Sequence, residues 1–524
     1  MYRSAMKQLI TWKSKENRKP LLIMGARQTG KTWLMKEFGK TNFEKVAYIS
    51  FYNNKRMDDV FQEDFNIERI LMSLNIESGI TITPNDTLII FDEIQESKKA
   101  LESLKYFCEE AKDYAVVAAG SLLGVAIHNG VSYPVGKVEL LDLYPLNFRE
   151  FLYAMNEENL ADVLETKDYT IIDNFQDKYL FWLKNYYYVG GMPEVVNEFR
   201  LHKDYQEVRN IQTNISRQYE GDFGKHADNH SLERIRQVWN SIPMQLAKEN
   251  KKFFFGQIKK GARSSEYELA IQWLVDSGLV HKVNRVNEPH VPLKAYTNMN
   301  IYKLFMLDIG LLGALSELDA ASILECNDIF IEFKGALTEQ YVLQQIIADT
   351  KYTPYYYGTD KSTFEQDFLI QKGKNVIPIE VKAEGNIKSQ SLKAYCDKFQ
   401  LENTLIKTGW KISLSMQSVI YKHNYSVFFL HLTVTLLAPP YVHVNNVKGH
   451  CPLVISSTSS GCSISIPATL YVNTFPTASV NVMTSPSCKL ESFLKCAFEL
   501  CAAITILSRY TLPVYLHGAF FNNA

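Results

Sequence analysis

The chain has 524 residues, 46% of them hydrophobic and 22% charged, with a formal net charge of −1. That length exceeds one hydrophobic core and predicts about two to four domains, while the near-zero charge excludes a global preference for polyanions, so any nucleic-acid face must be local. No apolar run is long enough to span a bilayer, residues 1–12 lack a signal-peptide core, and the eight cysteines form no CxxC pair. These features predict a cytoplasmic protein with no membrane contact, no zinc site and no disulfide framework.

Residues 19–39, KPLLIMGARQTGKTWLMKEFG, read as a buried strand, a glycine-bearing loop and a helix. Gly25, Ala26, Arg27, Gln28, Thr29, Gly30, Lys31 and Thr32 fit the phosphate-loop pattern. Glycines let the backbone curl so that its N–H groups face the phosphates of ATP, and the helix N-terminus adds a favourable dipole. Lys31 then places a charge on the phosphates and Thr32 offers a hydroxyl to Mg²⁺. Residues 87–96, TLIIFDEIQE, read as a second buried strand ending in Asp92 and Glu93. Ligands of α/β sheets bind beyond such strand ends. Asp92 is expected to hold Mg²⁺ through water and Glu93 to polarise the attacking water. An acidic pair after a strand is by itself usually a solvated turn; beside a phosphate loop it reads as catalytic. A third strand, YAVVAAGS, ends at Ser121. That serine either senses the γ-phosphate or caps the helix that follows.

The predicted ATPase core spans residues 1–155. Residues 156–230 read as a helical, tyrosine-rich lid, within which Arg217 suits a surface ion pair better than an arginine finger. Residues 231–320 read as a winged helix. SLERIRQVWNSIPMQLAKE has helical apolar spacing, and within residues 264–286 a helix carrying Leu269, Ile271, Leu274 and Val275 is expected, with Ser264 or Ser265 as cap. After Gly278 the pattern turns to a strand, with KAYTNMN as its hairpin partner. Lys251, Lys252, Lys259, Lys260 and Arg263 precede the second helix, which suits phosphate contacts to DNA; a solvated face, a lid or a protein contact accounts for them equally well.

In residues 321–410, Glu339 lies on a helical stretch, followed by short strands at 353–358, 362–371 and 375–384. Asp367 sits mid-strand, and Glu380 and Lys382 are two apart on the next strand, hence on one face. An Asp followed by Glu-x-Lys is the PD-(D/E)xK nuclease arrangement. Its two carboxylates, Asp367 and Glu380, would bind a second divalent cation, Mg²⁺ or Mn²⁺, and Lys382 would steady the attacking water. The final core strand is predicted at 404–410. From about residue 411 the acids almost vanish, with only Glu491 and Glu499 remaining, and five of the eight cysteines cluster there. Residues 411–524 read as an out-of-frame or fused segment, with an extra β domain as the alternative.

GARQTGKT, LIIFDEIQ, AAGSLLG, LYPLNFREFL, YVGGMPEVV and FMLDIGLL occur in that order. As a set they resemble the prokaryotic AAA-type ATP-binding proteins with a C-terminal domain of unknown function, near the STAND and origin-recognition ATPases. The resemblance covers about residues 1–408. It implies that Gly191, Met192 and Pro193 form a turn packing by the adenine, with a plain helix-breaking turn as the other reading. Where the family often has arginine this chain has Lys137, for which no catalytic role is expected. The whole predicts an α/β protein: a P-loop ATPase core, a helical lid, a winged helix and a nuclease-like domain. Its expected function is an ATP-driven switch on nucleic acid, with metal-dependent cleavage as an added activity. The alternative is a signalling switch that contacts a protein partner or a second copy of the chain.

Overall fold

The computed structural model describes residues 1–121, 134–166, 168–226, 229–248, 251–324, 331–359, 365–382, 394–395, 398–399, 409–413, 434–437, 454–458 and 461–465. Strands β1 (Leu21–Met24), β2 (Lys45–Ser50), β3 (Thr87–Asp92), β4 (Ala115–Ala119) and β5 (Glu139–Asp142) form one sheet in the order β2-β3-β4-β1-β5. Every pairing is parallel, so all the C-terminal strand ends share one edge. Strand β3 is buried throughout, as an unbroken apolar run requires when both sheet faces are covered. Leu88 and Ile90 pack with the helices Ala5–Lys13 and Lys31–Asn42, while Ile89 and Phe91 pack with Lys55–Glu63, Ile67–Ser78 and Lys98–Glu110. This is the period-2 alternation of a strand between two helical layers.

The chain then turns helical. Helix Phe148–Ala154 begins at a capping box between Asn147 and Glu150, a device that stabilises a helix start by about 1 kcal/mol. The helices Gln176–Val189, Pro193–His202, Tyr205–His226 and Asn229–Leu246 follow. Their apolar faces enter a single buried cluster that runs from Ala26 to Val381. The segment read as a lid is therefore helical and shares its core with the C-terminal half.

A second sheet comprises β6 (Val280–Val286), β7 (Thr297–Met306), β8 (Tyr355–Gly358), β9 (Glu365–Lys372), β10 (Asn375–Lys382), β11 (Gly409–Ser413) and β12 (Val434–Leu437). Its order is β12-β11-β10-β9-β8-β6-β7. The hairpin expected as a wing is thus one edge of the sheet that carries Asp367 and Glu380, because β6 pairs in parallel with β8. A two-stranded ribbon is marginal alone and gains by joining a larger sheet. Helix Ser264–Asp276 also differs from expectation. Arg263 occupies the N-cap with no side-chain cap, and Tyr267, Ala270, Ile271 and Leu274 form the buried face. Leu269 is 79% exposed, outside that face. Strand β11 pairs in parallel with β10, so residues 411–413, the first of the segment read as out-of-frame or fused, extend this sheet. Strands β13 (Val454–Thr458) and β14 (Gly461–Ser465) form a separate hairpin. Among the described residues no helix is long and apolar enough to cross a membrane.

Candidate active site

The loop between β1 and helix Lys31–Asn42 is bent by Gly25 at φ 144°, Gln28 at φ 63° and Gly30 at φ 91°. A β-carbon on Gly25 would stand 2.2 Å from the Leu143 carbonyl oxygen, so glycine alone fits. Lys31 Nζ donates to the carbonyls of Gly25 at 2.9 Å and Ala26 at 2.6 Å. Burial pushes its pKa down to about 8, against the pull of Glu93 and Asp92. Thr32 Oγ1 donates to Asp92 Oδ2 at 2.7 Å, and the Tyr48 hydroxyl donates to the same oxygen at 2.8 Å. The second carboxylate oxygen of Asp92 accepts from the Glu93 backbone N–H at 3.1 Å. Glu93 itself has φ 52°, a left-handed conformation that costs a non-glycine residue about 1–3 kcal/mol and clusters at functional sites. Its Oε2 accepts from Gln95 Nε2 at 2.6 Å and from Ser121 Oγ at 3.1 Å. Ser121 therefore joins the site through Glu93; the helix it was alternatively expected to cap falls at residues 122–133, outside the described ones. The Thr32 hydroxyl and the Asp92 carboxylate are hard oxygen donors at the foot of the loop, a set that fits Mg²⁺.

Several residues that brace the loop carry no sequence signature. Arg3 is 6% exposed; it donates to the Thr29 carbonyl at 3.0 Å and the Tyr144 carbonyl at 2.6 Å, and pairs with Glu150 at 3.3 Å. Arg27 forms an ion pair with Asp222. Pro193 opens helix Pro193–His202 and lies against Gly30, its Cγ 3.5 Å from the place of a β-carbon there. The turn inferred to pack by the adenine therefore abuts the phosphate loop.

Three motifs of unassigned chemistry meet in a buried polar junction. Gly191 N–H donates to Asp308 Oδ1 at 2.6 Å, and its carbonyl accepts from Leu146 N–H at 2.7 Å. Helix Ile331–Asp349 closes the junction. Gln344 Nε2 reaches Asp308 Oδ1 and the Tyr186 hydroxyl, each at 3.0 Å, while its Oε1 accepts from Ile309 N–H at 2.9 Å. Gln345 Oε1 accepts from Phe148 N–H at 2.9 Å, and Gln340 bonds both backbone groups of Met306, at 2.9 and 2.6 Å. Burial pushes the Asp308 carboxyl up to about 6 despite these bonds.

The same helix carries Glu339, whose carboxylate is paired with Lys251 and, at 3.6 Å, with Lys303. Lys303 also pairs with Glu365. Asp367 Oδ2 accepts from Val381 N–H at 2.7 Å, and burial together with the Glu339 charge pushes its carboxyl up to about 7. The β9–β10 register of Phe368 with Ile379, continued by one residue, sets Asp367 opposite the buried Glu380. The side chain of Lys382 lies outside the described residues. Among the described residues no group of three or more acidic, His or Cys side chains is disposed to hold a metal ion. The positive charge beside these carboxylates comes instead from Lys251 and Lys303. The second divalent cation expected at Asp367 and Glu380 has no support in this geometry. Lys251, read as a phosphate contact, is internal, whereas Lys259, Lys260 and Arg263 are exposed. Arg217 is also exposed, and Lys137 pairs with Glu109 at 2.7 Å.

Residues 17–152 match a family model described as an AAA domain, as the loop and the two acids predict. Residues 180–322 and 334–432 match two further models, each described as a domain of unknown function. No curated protein matches the chain. Among solved structures, the chain is similar to the Walker-type ATPase PABY2304 of Pyrococcus abyssi, at 12% identity and a TM-score of 0.38, over 60% of this chain and 95% of that one. It is similar to the Thermotoga maritima RuvB Holliday junction branch migration motor, at 14% identity and a TM-score of 0.27, over 56% and 94%. It is also similar to the Aeropyrum pernix ORC1 protein solved in complex with DNA, at 15% identity and a TM-score of 0.25, over 60% and 93%. At such scores none of these likenesses bears on what this chain acts upon.

Proposed function

We propose that this chain, whose residues 17–152 are an AAA-type ATPase core, is an Mg²⁺-dependent, cytoplasmic ATPase that acts as a nucleotide-driven switch on nucleic acid. The observation that carries the ATPase reading is the chain of contacts from Thr32 through Asp92 to Glu93 and Ser121, beside the buried Lys31. In this reading the loop N–H groups of residues 25–32 and Lys31 hold the β- and γ-phosphates of ATP. Thr32 and Asp92 hold Mg²⁺, which when bound neutralises phosphate charge. Glu93, oriented by Gln95 and Ser121, takes the proton of the attacking water. Lys259, Lys260 and Arg263 supply exposed positive charge for the phosphates of DNA. Salt-dependent DNA binding that differs between ATP and ADP tests this part.

Lys251 and Lys303 favour a second reading, in which the nuclease-like domain is a scaffold and the switch contacts a protein partner or another copy of the chain. Glu339 and Glu365 are paired with these ammonium groups, whose charge also acts on Asp367, so the cluster holds positive charge without a metal. Nicking of DNA or RNA in Mg²⁺ or Mn²⁺, lost in Asp367→Asn, Glu380→Gln and Lys382→Ala, would restore cleavage; its absence in the parent chain leaves the scaffold.

A further inference from the structure

We propose that Arg27 senses the γ-phosphate, exchanging its carboxylate partner Asp222 for the terminal phosphate of ATP and so coupling the nucleotide to helix Tyr205–His226. The inference rests on the nucleotide site proposed above. Three contacts pin that helix to the phosphate loop: Arg27 pairs with Asp222, the Tyr219 hydroxyl donates to the Arg27 carbonyl at 2.8 Å, and Gln28 Nε2 donates to Gln218 Oε1 at 2.8 Å. Gln218, Tyr219 and Asp222 lie one to four residues apart, on one helix face. Only the Arg27–Asp222 contact is between opposite charges, so it is the one that an incoming anion competes for.

The guanidinium stands where that competition would occur. Besides Asp222, the acids that act on Arg27 are Glu93 and Glu96, and its own charge acts on Lys31. It thus shares the field of both the phosphate-facing lysine and the residue placed at the attacking water. A terminal phosphate carries more charge than a carboxylate and offers three oxygens, which the planar donor fork of arginine matches in pairs. ADP lacks that group and leaves Asp222 its partner. Behind the pinned face, Tyr219 and Phe223 pack on Trp239 at 6.3 and 6.0 Å, and Phe223 packs on Trp273 at 5.3 Å. Loss of one pin is therefore felt by two indoles, one of them in helix Ser264–Asp276, which follows the exposed Lys259, Lys260 and Arg263.

The full chain and its variants are titrated with ATPγS and with ADP, following binding and tryptophan fluorescence. Arg27→Gln is expected to weaken ATPγS by about tenfold, a lost charge-assisted phosphate contact, and to leave ADP within about twofold. Asp222→Asn frees the guanidinium in advance, so ATPγS tightens by about three- to tenfold and the ATPγS-specific fluorescence change disappears. Lys31→Ala is the control for the site and loses both nucleotides. If Arg27→Gln and Asp222→Asn keep the parent ratio of ATPγS to ADP affinity while Lys31→Ala binds neither, the sensor is overturned and the site stands. If Lys31→Ala binds both normally, the site itself falls.

Discussion

Asp308→Asn probes the buried junction through its pH dependence. In the fold this carboxyl accepts from Gly191, Leu311 and Gln344 and is 0% exposed; burial raises it from an ordinary 3.8 to about 6. About two units at roughly 1.36 kcal/mol each amount to about 3 kcal/mol. Between those two values the folded chain retains a proton that the unfolded chain has released. The fold therefore binds more protons, so the stability contributed by this group falls as pH rises from about 4 to about 6 and levels off above. Asparagine does not titrate. It keeps an acceptor for Gly191 and Gln344 but turns an amide N–H₂ towards Leu311 N–H, at a pH-independent cost of about 1–3 kcal/mol. The variant is expected to be the less stable protein at pH 4, and the difference should move in its favour by about 3 kcal/mol on reaching neutral pH. Urea unfolding of both proteins across that range measures this, and subtraction cancels the other titrating groups. A difference that stays level across the range would refute a buried, proton-holding Asp308.

Lys31→Ala is expected to abolish ATP binding, measured by calorimetry, because Lys31 is the buried cation of the loop, whereas Arg27 is paired with Asp222 and meets only the terminal phosphate in the exchange proposed above. Glu93→Gln should bind ATP normally and hydrolyse it at least about 100-fold more slowly; unchanged turnover removes Glu93 from its assigned role. Gln340→Leu strands the N–H and carbonyl of Met306 and should cost about 2–4 kcal/mol in urea unfolding, whereas a change under about 0.5 kcal/mol would mean those groups find other partners. Replacing Lys259, Lys260 and Arg263 together by Ala should weaken DNA binding and flatten its salt dependence; an unaltered slope would assign this face to another role.

The phosphate loop was legible because its information is contiguous: eight consecutive residues and one apolar strand ending in two acids specify it. Its supports were not. Asp222 lies 195 positions from Arg27, and Tyr144 lies 141 from Arg3, so no local pattern links them. Tyr48 was hidden for a related reason. On a buried strand an aromatic reads as core, and only its register beside β3 brings its hydroxyl to Asp92. In helix Ser264–Asp276 the apolar residues surround most of the axis, so the spacing alone did not single out the face of Tyr267, Ala270, Ile271 and Leu274 that is buried. The strand patterns of the wing and of β8 were both readable, but not their pairing, because β8 lies far along the chain. Lys251 was grouped with the basic residues after it, although the three phenylalanines at 253–255 argued for a stem entering the core.

The charged cluster and the polar junction are not independent, because one helix builds both. Within Ile331–Asp349, Glu339 faces Lys251 and Lys303, and the adjacent Gln340 is bonded to Met306; one turn on, Gln344 and Gln345 hold Asp308, Tyr186 and Phe148. Phe148 follows Leu146, whose N–H is bound by Gly191, and Gly191 lies two residues before the proline that rests on Gly30. An unbroken series of packed and hydrogen-bonded groups thus runs from the phosphate loop to the carboxylates of the C-terminal sheet. Contiguity alone is not coupling; a two-state element that both ends bias is needed as well. Gln340 and Gln345 bond backbone groups, and Gln344 bonds the Ile309 N–H together with the side chains of Asp308 and Tyr186, all of them buried. The Arg27–Asp222 pair, with Arg27 partly exposed and Asp222 buried, is held by charge, and in the proposal above it is where the series changes partners. If Arg27 exchanges partners as proposed, the switch lies at the loop, and helix Ile331–Asp349 is the element that joins it to the carboxylates of the C-terminal sheet.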